Sequence, residues 1–469
     1  MFIGRENELN FLENKYLSQG GQLIVMYGRR RVGKTETLRK FCEGKSHVFY
    51  SCTECTDEQQ LKAFSSRMLM ANVPAAKYVR EFSDWEQALA CVSELPAERK
   101  KLLVIDEFPY MIKNNASIPS ILQKLWDEKL KDENVMIILC GSAMSFIENE
   151  ILAEKNPLYG RATGILKMSE MNFYEAIQFF PHYSLLDQIH AYAILGGIPH
   201  YLKQFDDEQS LEENIKANIL QRGSILYSEV EFLMRQELRE TTVYNTIIGA
   251  VALGNTKLND IYQKTQIEKS KLAVYLKNLM SLGIIEREFP VSDGLKNQAN
   301  IQRGLYRITD HFFRFWYAFV FPNISELEAG DMDGIYTHVV KNSLDQFTSG
   351  IFELICREYL RRQNRQGKLP FRFTKIGRWW NKTDELDIMA TDLEMTNFLL
   401  GECKFKNSVF NLHDLNNMLF KFKPGKQTAK VYYYLFSKSG FSEELINAVE
   451  GQKSGYKNIR LVTLEQLME

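Results

Sequence analysis

No stretch of this sequence approaches the ~18 uninterrupted apolar residues that crossing a bilayer requires, so a membrane-spanning protein is not expected. The opening MFIGRENELNFLENK carries charge from Arg5 and Glu6 onward and holds no apolar secretory core. A cytoplasmic location is therefore expected. Cysteine is sparse and scattered, with seven residues at 42, 52, 55, 91, 140, 356 and 403. An odd count at irregular spacing argues against a disulfide scaffold and fits a reducing compartment. Cys52 and Cys55 form one C-x-x-C pair, but no second pair completes a zinc tetrahedron, and coincidence is the preferred reading. The net charge is −1, which denies the whole molecule a general attraction for nucleic acid. Any such attraction must come from local asymmetry. Internal repeats and low-complexity tracts are also missing.

What is present is enough for several cores. The 469 residues include 45% hydrophobic and 12% aromatic side chains, and at ~150 residues per domain the length suggests about three domains. Residues 1–165 alternate short, continuous apolar runs with helix-period segments. The runs are QLIVMYG (22–28), HVFYS (47–51), KLLVIDEF (101–108) and NVMIILCGS (134–142). Strands buried on both faces read this way, and their alternation with helices predicts a doubly wound α/β domain. A helical section follows over 166–235, short helices and a hairpin over 236–325, and mixed α and β over 326–469.

The residues GRRRVGKT (28–35) fit G-x-x-x-x-G-K-[ST] and lie between a strand and a helix. Glycines at 28 and 33 let the loop wrap closely, so backbone N–H groups of Arg29, Arg30, Arg31 and Val32 can point at a phosphate. The helix N-terminus adds its positive end. Lys34, expected to face solvent or ligand, can reach the β and γ phosphates of ATP, and Thr35 can place its hydroxyl on Mg²⁺. In LLVIDE, Asp106 and Glu107 end a buried strand, at the edge where open α/β sheets bind ligands. Asp106 is placed to hold Mg²⁺, and Glu107 to orient and polarise the attacking water. Ser142 ends the next apolar strand, where it could report the γ-phosphate or be an ordinary turn serine.

IGRENELNFL, YGRRRVGKT, LLVIDEF and CGS, with NPLYGRATG (156–164) and LGGIPHYL (195–202), resemble the archaeal-type ATPases of the STAND/AAA-like P-loop class. The resemblance implies that Pro199 lies against the adenine and that Arg5 helps close the nucleotide pocket. It also makes Arg161 an arginine finger or sensor, in its own subunit or in a neighbour within an oligomer. A plain surface arginine is the alternative. A guanidinium suits charge on a transferring phosphoryl group.

Residues 241–308 read as helix, helix, longer helix and hairpin, and resemble a winged helix-turn-helix. Leu272, Tyr275, Leu276 and Leu279 fall toward a core, leaving Lys271, Val274, Lys277 and Asn278 outside. Such a module binds duplex DNA or serves as a protein-partner module, and both readings stand. The aromatic run ITDHFFRFWYAFVFP (308–322) is expected to fill a core. Farther on, ELDIMATD and TNFLLGECKFKN form a hairpin carrying Asp387 and Glu402-x-Lys404, with Glu353 upstream in an apolar helix. Two carboxylates on adjacent strands can share a divalent cation, and a lysine can orient water. The arrangement resembles the restriction-endonuclease-like core. Glu353, Asp387 and Glu402 would be its metal ligands, with Asp387, Glu402 and Lys404 catalytic. Residues 360–383 are basic and free of acids, beside Trp379 and Trp380, which suits a phosphate backbone. A nuclease-shaped domain that binds without cutting is the alternative.

Overall fold

The computed structural model describes residues 2–293, 304–424, 429–451 and 456–469. The chain forms two compact units, Met1–Met171 with Ile198–His200, and Asn172–Gly197 with Tyr201–Glu469.

The first unit is built on a five-stranded parallel sheet: β1 (Gln22–Tyr27), β2 (His47–Ser51), β3 (Lys101–Asp106), β4 (Val135–Gly141) and β5 (Gly164–Lys167). Their spatial order is β2-β3-β4-β1-β5. β4 thus stands between the strand that feeds the glycine-rich loop and the strand that ends in Asp106, paired in parallel with each. The continuous apolar runs of β1, β3 and β4 have their explanation in two cores, whereas β2 departs from expectation: only Val48 and Tyr50 are buried, and His47 and Ser51 are exposed. Leu23, Val25, Leu103, Ile105, Ile137 and Leu139 pack on one face. Ile24, Met26, Leu102, Val104, Met136 and Ile138 pack on the other, with α1 (Glu6–Leu17) and α2 (Lys34–Cys42) supplying Leu12, Leu38 and Phe41. Each such side chain contributes roughly 1.5–3 kcal/mol on burial. The strand β5 does not stand out in the sequence, because its four residues alternate in exposure instead of forming an apolar run.

In the second unit, α3 (Leu185–Leu195) is largely apolar, and Ile189 to Leu195 are buried. The segment α4 (Thr241–Ala252), α5 (Leu258–Thr265) and α6 (Lys269–Ser281) is followed by the antiparallel pair β6 (Ile285–Glu288) and β7 (Leu305–Ile308). Leu272, Leu276 and Leu279 are buried and Lys271, Val274, Lys277 and Asn278 exposed, as the helical spacing requires. Tyr275 departs from expectation. Its ring is only half-buried, and its hydroxyl donates to Glu240 at the surface. Next comes α7 (His311–Phe315), continued by Trp316–Val320. Phe312, Phe313, Phe315, Trp316, Tyr317 and Phe319 are all buried there, so this aromatic run is core. The long α8 (Lys341–Arg365) packs beside a mixed sheet of β8 (Lys375–Trp380), β9 (Glu385–Thr391), β10 (Asn397–Lys404), β11 (Lys430–Ser437) and β12 (Ile459–Val462), in the order β12-β11-β10-β9-β8. β8, β9 and β10 run antiparallel, while β10, β11 and β12 are parallel. Leu415 and Met418 of α9 (Leu412–Lys421) pack with Leu400 and Leu435. Among the described residues no helix is long and apolar enough to cross a membrane.

Candidate functional site

The loop between β1 and α2 is held in shape by its glycines and by a lysine turned inward. A Cβ on Gly28 would lie 2.3 Å from the Met168 carbonyl oxygen, so only glycine allows the backbone to run this close to the end of β5. Gly33 has φ +92°, a conformation costly for any side chain. Its open side faces Pro199, whose Cγ lies 3.7 Å from where a Cβ would stand. Pro199 is therefore at the loop, although 166 residues away in sequence.

Lys34 departs from the expectation of a side chain facing solvent or ligand. It is 5% exposed, and its Nζ donates to the carbonyls of Gly28 (2.8 Å) and Arg29 (2.9 Å). Burial lowers its pKa, while Cys140, Glu107 and Asp106 act the other way. Two backbone carbonyls thus serve as the hydrogen-bond acceptors that a buried ammonium needs.

Thr35 and Asp106 meet beside it. The Thr35 hydroxyl donates to Asp106 Oδ2 at 2.7 Å, and Asp106 Oδ1 accepts from the Glu107 N–H at 3.0 Å. Glu107 adopts φ +51°, ψ +41°, rare for a residue with a side chain. This turn directs its carboxylate to Ser142, whose hydroxyl donates at 2.8 Å and whose N–H donates at 3.3 Å. The position of β4 between β1 and β3 makes that meeting possible. Cys140, two residues earlier on β4, was not singled out as a site residue by the sequence. Burial holds its thiol well above its usual range, with Asp106 and Lys34 close enough to act on it.

The remaining arginines are less uniform. Arg5 is 2% exposed; it donates to the Val32 carbonyl (2.7 Å), the Ser169 carbonyl (2.8 Å) and Glu8 (3.0 Å). It therefore braces the loop's backbone from behind, with the Val32 side chain buried in the core. Arg29 pairs with Glu170 at 3.3 Å, a partner the sequence did not suggest. Arg30 and Arg31 are half-buried, Arg31 with φ +71°. Arg161 grips Asp127 through two nitrogens at 3.0 and 2.7 Å and the Pro157 carbonyl at 2.9 Å. The structure thus gives it an acidic partner in its own chain.

A second cluster lies in the C-terminal sheet. Pairing of Ile388 with Gly401 brings Asp387 to β10, where its carboxylate accepts from the Cys403 N–H at 2.8 Å. Burial raises the pKa of Asp387, Glu402 and Glu353, and the Asp387 charge is the next cause for the latter two. Glu353 lies on α8, 3.5 Å from Arg378 Nε. The three carboxyl groups therefore share one electrostatic site. Even so, no group of three His, Cys, Asp or Glu side chains among the described residues is arranged to hold a metal ion. Lys404 turns to Asp414 (2.7 Å) at the start of α9. The cation beside Glu402 is instead Lys421, which reaches both carboxylate oxygens at 2.8 and 3.0 Å. Lys421 went unnoticed because it lies 19 residues away, at the far end of α9, and nothing in the spacing brings it back. Arg378, from the acid-free stretch, is likewise committed to Glu288, Glu353 and Glu385, each at 3.5 Å.

Residues 2–205 match a family described as an ATPase domain predominantly from Archaea. Residues 316–416 match a second, described as Archaea bacterial proteins of unknown function. An uncharacterized protein of Methanocaldococcus jannaschii is 34% identical over 407 residues, 87% of this chain and 88% of its own. An uncharacterized ATP-binding protein of the same organism is 53% identical over 45 residues, 10% of this chain and 76% of its own. Among solved structures, the Walker-type ATPase of Pyrococcus abyssi is similar at 20% identity and TM-score 0.47, over 67% of this chain and 96% of that one. With a glycine-rich loop of this geometry, an ATPase-domain match and a relative aligned along nearly its whole length, the chain is an ATPase and belongs to the ATPase family found predominantly in Archaea.

Proposed function

We propose that the first unit hydrolyses ATP with Mg²⁺ and that its nucleotide state controls DNA engagement or cleavage by the rest of the chain. The observation that carries the reading is the contact of Thr35 with Asp106 at the head of the glycine-rich loop. A hydroxyl and a carboxylate are the hard oxygen donors that Mg²⁺ prefers, so the residues present fit that ion. Bound there, it would neutralise charge on the phosphates. Lys34 would exchange the carbonyls of Gly28 and Arg29 for phosphate oxygens, and the N–H groups of Arg29 to Val32 would line the cradle. Ser142 holds the Glu107 carboxylate, the group that would orient and polarise water. Pro199 supplies an apolar surface for the base, Arg5 keeps the loop closed from behind, and Arg161 would have to leave Asp127 to act on a phosphate.

In this reading 166–235 serves as a helical lid, 236–325 as a winged helix-turn-helix on DNA, and 326–469 as a restriction-endonuclease-like domain using Asp387, Glu402 and a lysine. One specific observation favours a second reading, a switch that acts on a protein partner. Lys421 already neutralises Glu402, and Lys404 is turned away to Asp414, so both lysines near the acidic cluster are engaged within the chain. ATP turnover measured with and without duplex and single-stranded DNA separates the two. Stimulation by DNA supports the first, and indifference to both forms favours the second. Incubation of linear, circular and single-stranded DNA with Mg²⁺ or Mn²⁺ and each nucleotide tests cutting, which should vanish in Asp387→Ala and Glu402→Ala.

A further inference from the structure

A cavity of about 630 Å³ opens in the second unit between the end of α4, the β6–β7 pair, α7, α8 and the β8–β9 edge. Three guanidinium groups line it, those of Arg307, Arg314 and Arg378. Two of them have carboxylates: Arg307 pairs with Glu288 at 2.9 Å, and Arg378 with Glu288, Glu353 and Glu385. The third is different. Among the described residues Arg314 has no ion pair, and its side chain donates no hydrogen bond. Its guanidinium lies 4.3 Å over the Phe347 ring, and one terminal nitrogen is 3.7 Å from the Cβ position of Gly350 on the cavity wall. Burial lowers its pKa to about 10, the Arg307 charge acts the same way, and the more distant Glu353 carboxylate opposes them without pairing with it.

A planar guanidinium stacked on one face keeps its donors in a fixed plane, which suits bidentate recognition of a tetrahedral oxyanion. Val251, Ile308, Ile351 and Leu354 add apolar lining, and Glu286, Glu353 and Glu385 bring carboxylates to the same cavity. The volume lies within the range of sites for small organic ligands. Gly254 and Gly350 leave the walls open, since a Cβ at the first would meet nothing within 4 Å.

We propose that this cavity binds a phosphate ester of nucleotide size, with its phosphate on Arg314 and its organic part against the apolar lining. The same chemistry is presented by a free nucleoside monophosphate and by the phosphorylated end of a strand. The site is separate from the glycine-rich loop, and its occupation is read as binding, without reference to whether the C-terminal domain cuts.

The test is calorimetry on the full chain with inorganic phosphate, thymidine 5′-monophosphate, a 5′-phosphorylated single-stranded hexanucleotide, and thymidine as the uncharged control. At least one phosphorylated probe should bind and thymidine should not. The tighter binder among the phosphorylated probes identifies the source. Binding should persist in Lys34→Ala and weaken about 10- to 100-fold in Arg314→Gln, the usual effect of losing a charged hydrogen bond. Loss of Arg314 could also disturb the Phe347 packing, so Gly350→Leu serves as a second variant. It removes no charge, improves helix propensity on α8 and projects into the cavity, and it too should block binding. Failure of all phosphorylated probes to bind overturns the proposal. So does binding that is lost with Lys34, or binding that survives both cavity variants unchanged.

Discussion

Ser142 donates its hydroxyl to the Glu107 carboxylate at 2.8 Å, with its backbone N–H 3.3 Å from the same oxygen. The carboxylate is therefore fixed by a residue on the neighbouring strand, 35 positions away. Glu107→Gln should keep ATP binding and lose turnover, because the amide preserves shape but cannot polarise water. ATP should accumulate on the purified variant in a filter-retention assay. Ser142→Ala should retain part of the activity, with kcat down about tenfold, the worth of one hydrogen bond to a charged group. Wild-type turnover in Glu107→Gln would remove it from the role of water-positioning residue.

Lys34→Ala should lower ATP affinity at least about 100-fold while the protein stays folded, since charge-assisted bonds to phosphate are lost. In the absence of ligand, the lysine's two bonds to the Gly28 and Arg29 carbonyls contribute only about 1–2 kcal/mol to the loop. Calorimetric affinity for ATP and a melting curve, taken together, separate the two effects. An unchanged affinity would refute the site.

Lys271→Glu with Lys277→Glu should weaken DNA binding if α6 reads DNA. Both side chains are exposed. The slope of log affinity against log salt should flatten by about 1–2, because fewer counterions are released. A slope equal to that of wild type would point to a partner-binding role for this segment.

Lys421→Ala should expose the Glu402 carboxylate, which now meets that ammonium at 2.8 and 3.0 Å. The pair is partly exposed, so the stability loss should be modest, about 1–2 kcal/mol. Because burial and Asp387 already raise Glu402, loss of the cation should raise it further. A site able to take a divalent ion should then bind Mn²⁺ more tightly in the variant than in wild type. Equal, absent Mn²⁺ binding in both would speak for a domain that keeps the shape without the metal chemistry.

Acid should destabilise the second unit through His190. Burial lowers its pKa to about 4 from 6.5, against the pull of Asp345, and its Nδ1 lies 2.9 Å from the Thr348 hydroxyl. The folded-state pKa lies below the unfolded one, so the unfolded chain binds more protons between pH 4 and 6.5. This contribution is present above pH 6.5 and lost as pH falls toward 4, and it amounts to on the order of 3 kcal/mol. Urea unfolding of wild type and His190→Gln across this range isolates the effect. The stability difference should shrink on acidification, and a constant difference would show that the histidine does not titrate there.

The sequence by itself determined the parts of this protein that local rules govern. Residues 28–35 form a loop because two glycines, a preceding apolar strand and a following helix all lie within one short segment. Three of the five strands of the first sheet, β1, β3 and β4, are continuous apolar runs because both of their faces are buried. The hairpin of β9 and β10, and the buried leucines of α6, follow from backbone periodicity alone. Only the tertiary structure decided which distant side chains meet. It placed β4 between β1 and β3, and so Ser142 on Glu107. It folded Lys34 onto its own loop, gave Arg161 to Asp127, and put Lys421 on Glu402 while turning Lys404 to Asp414. It also left Arg314 facing a cavity without an ion pair of its own. These outcomes depend on strand order and helix packing, which long-range burial sets cooperatively, whereas motif spacing records only what lies within a few residues along the chain.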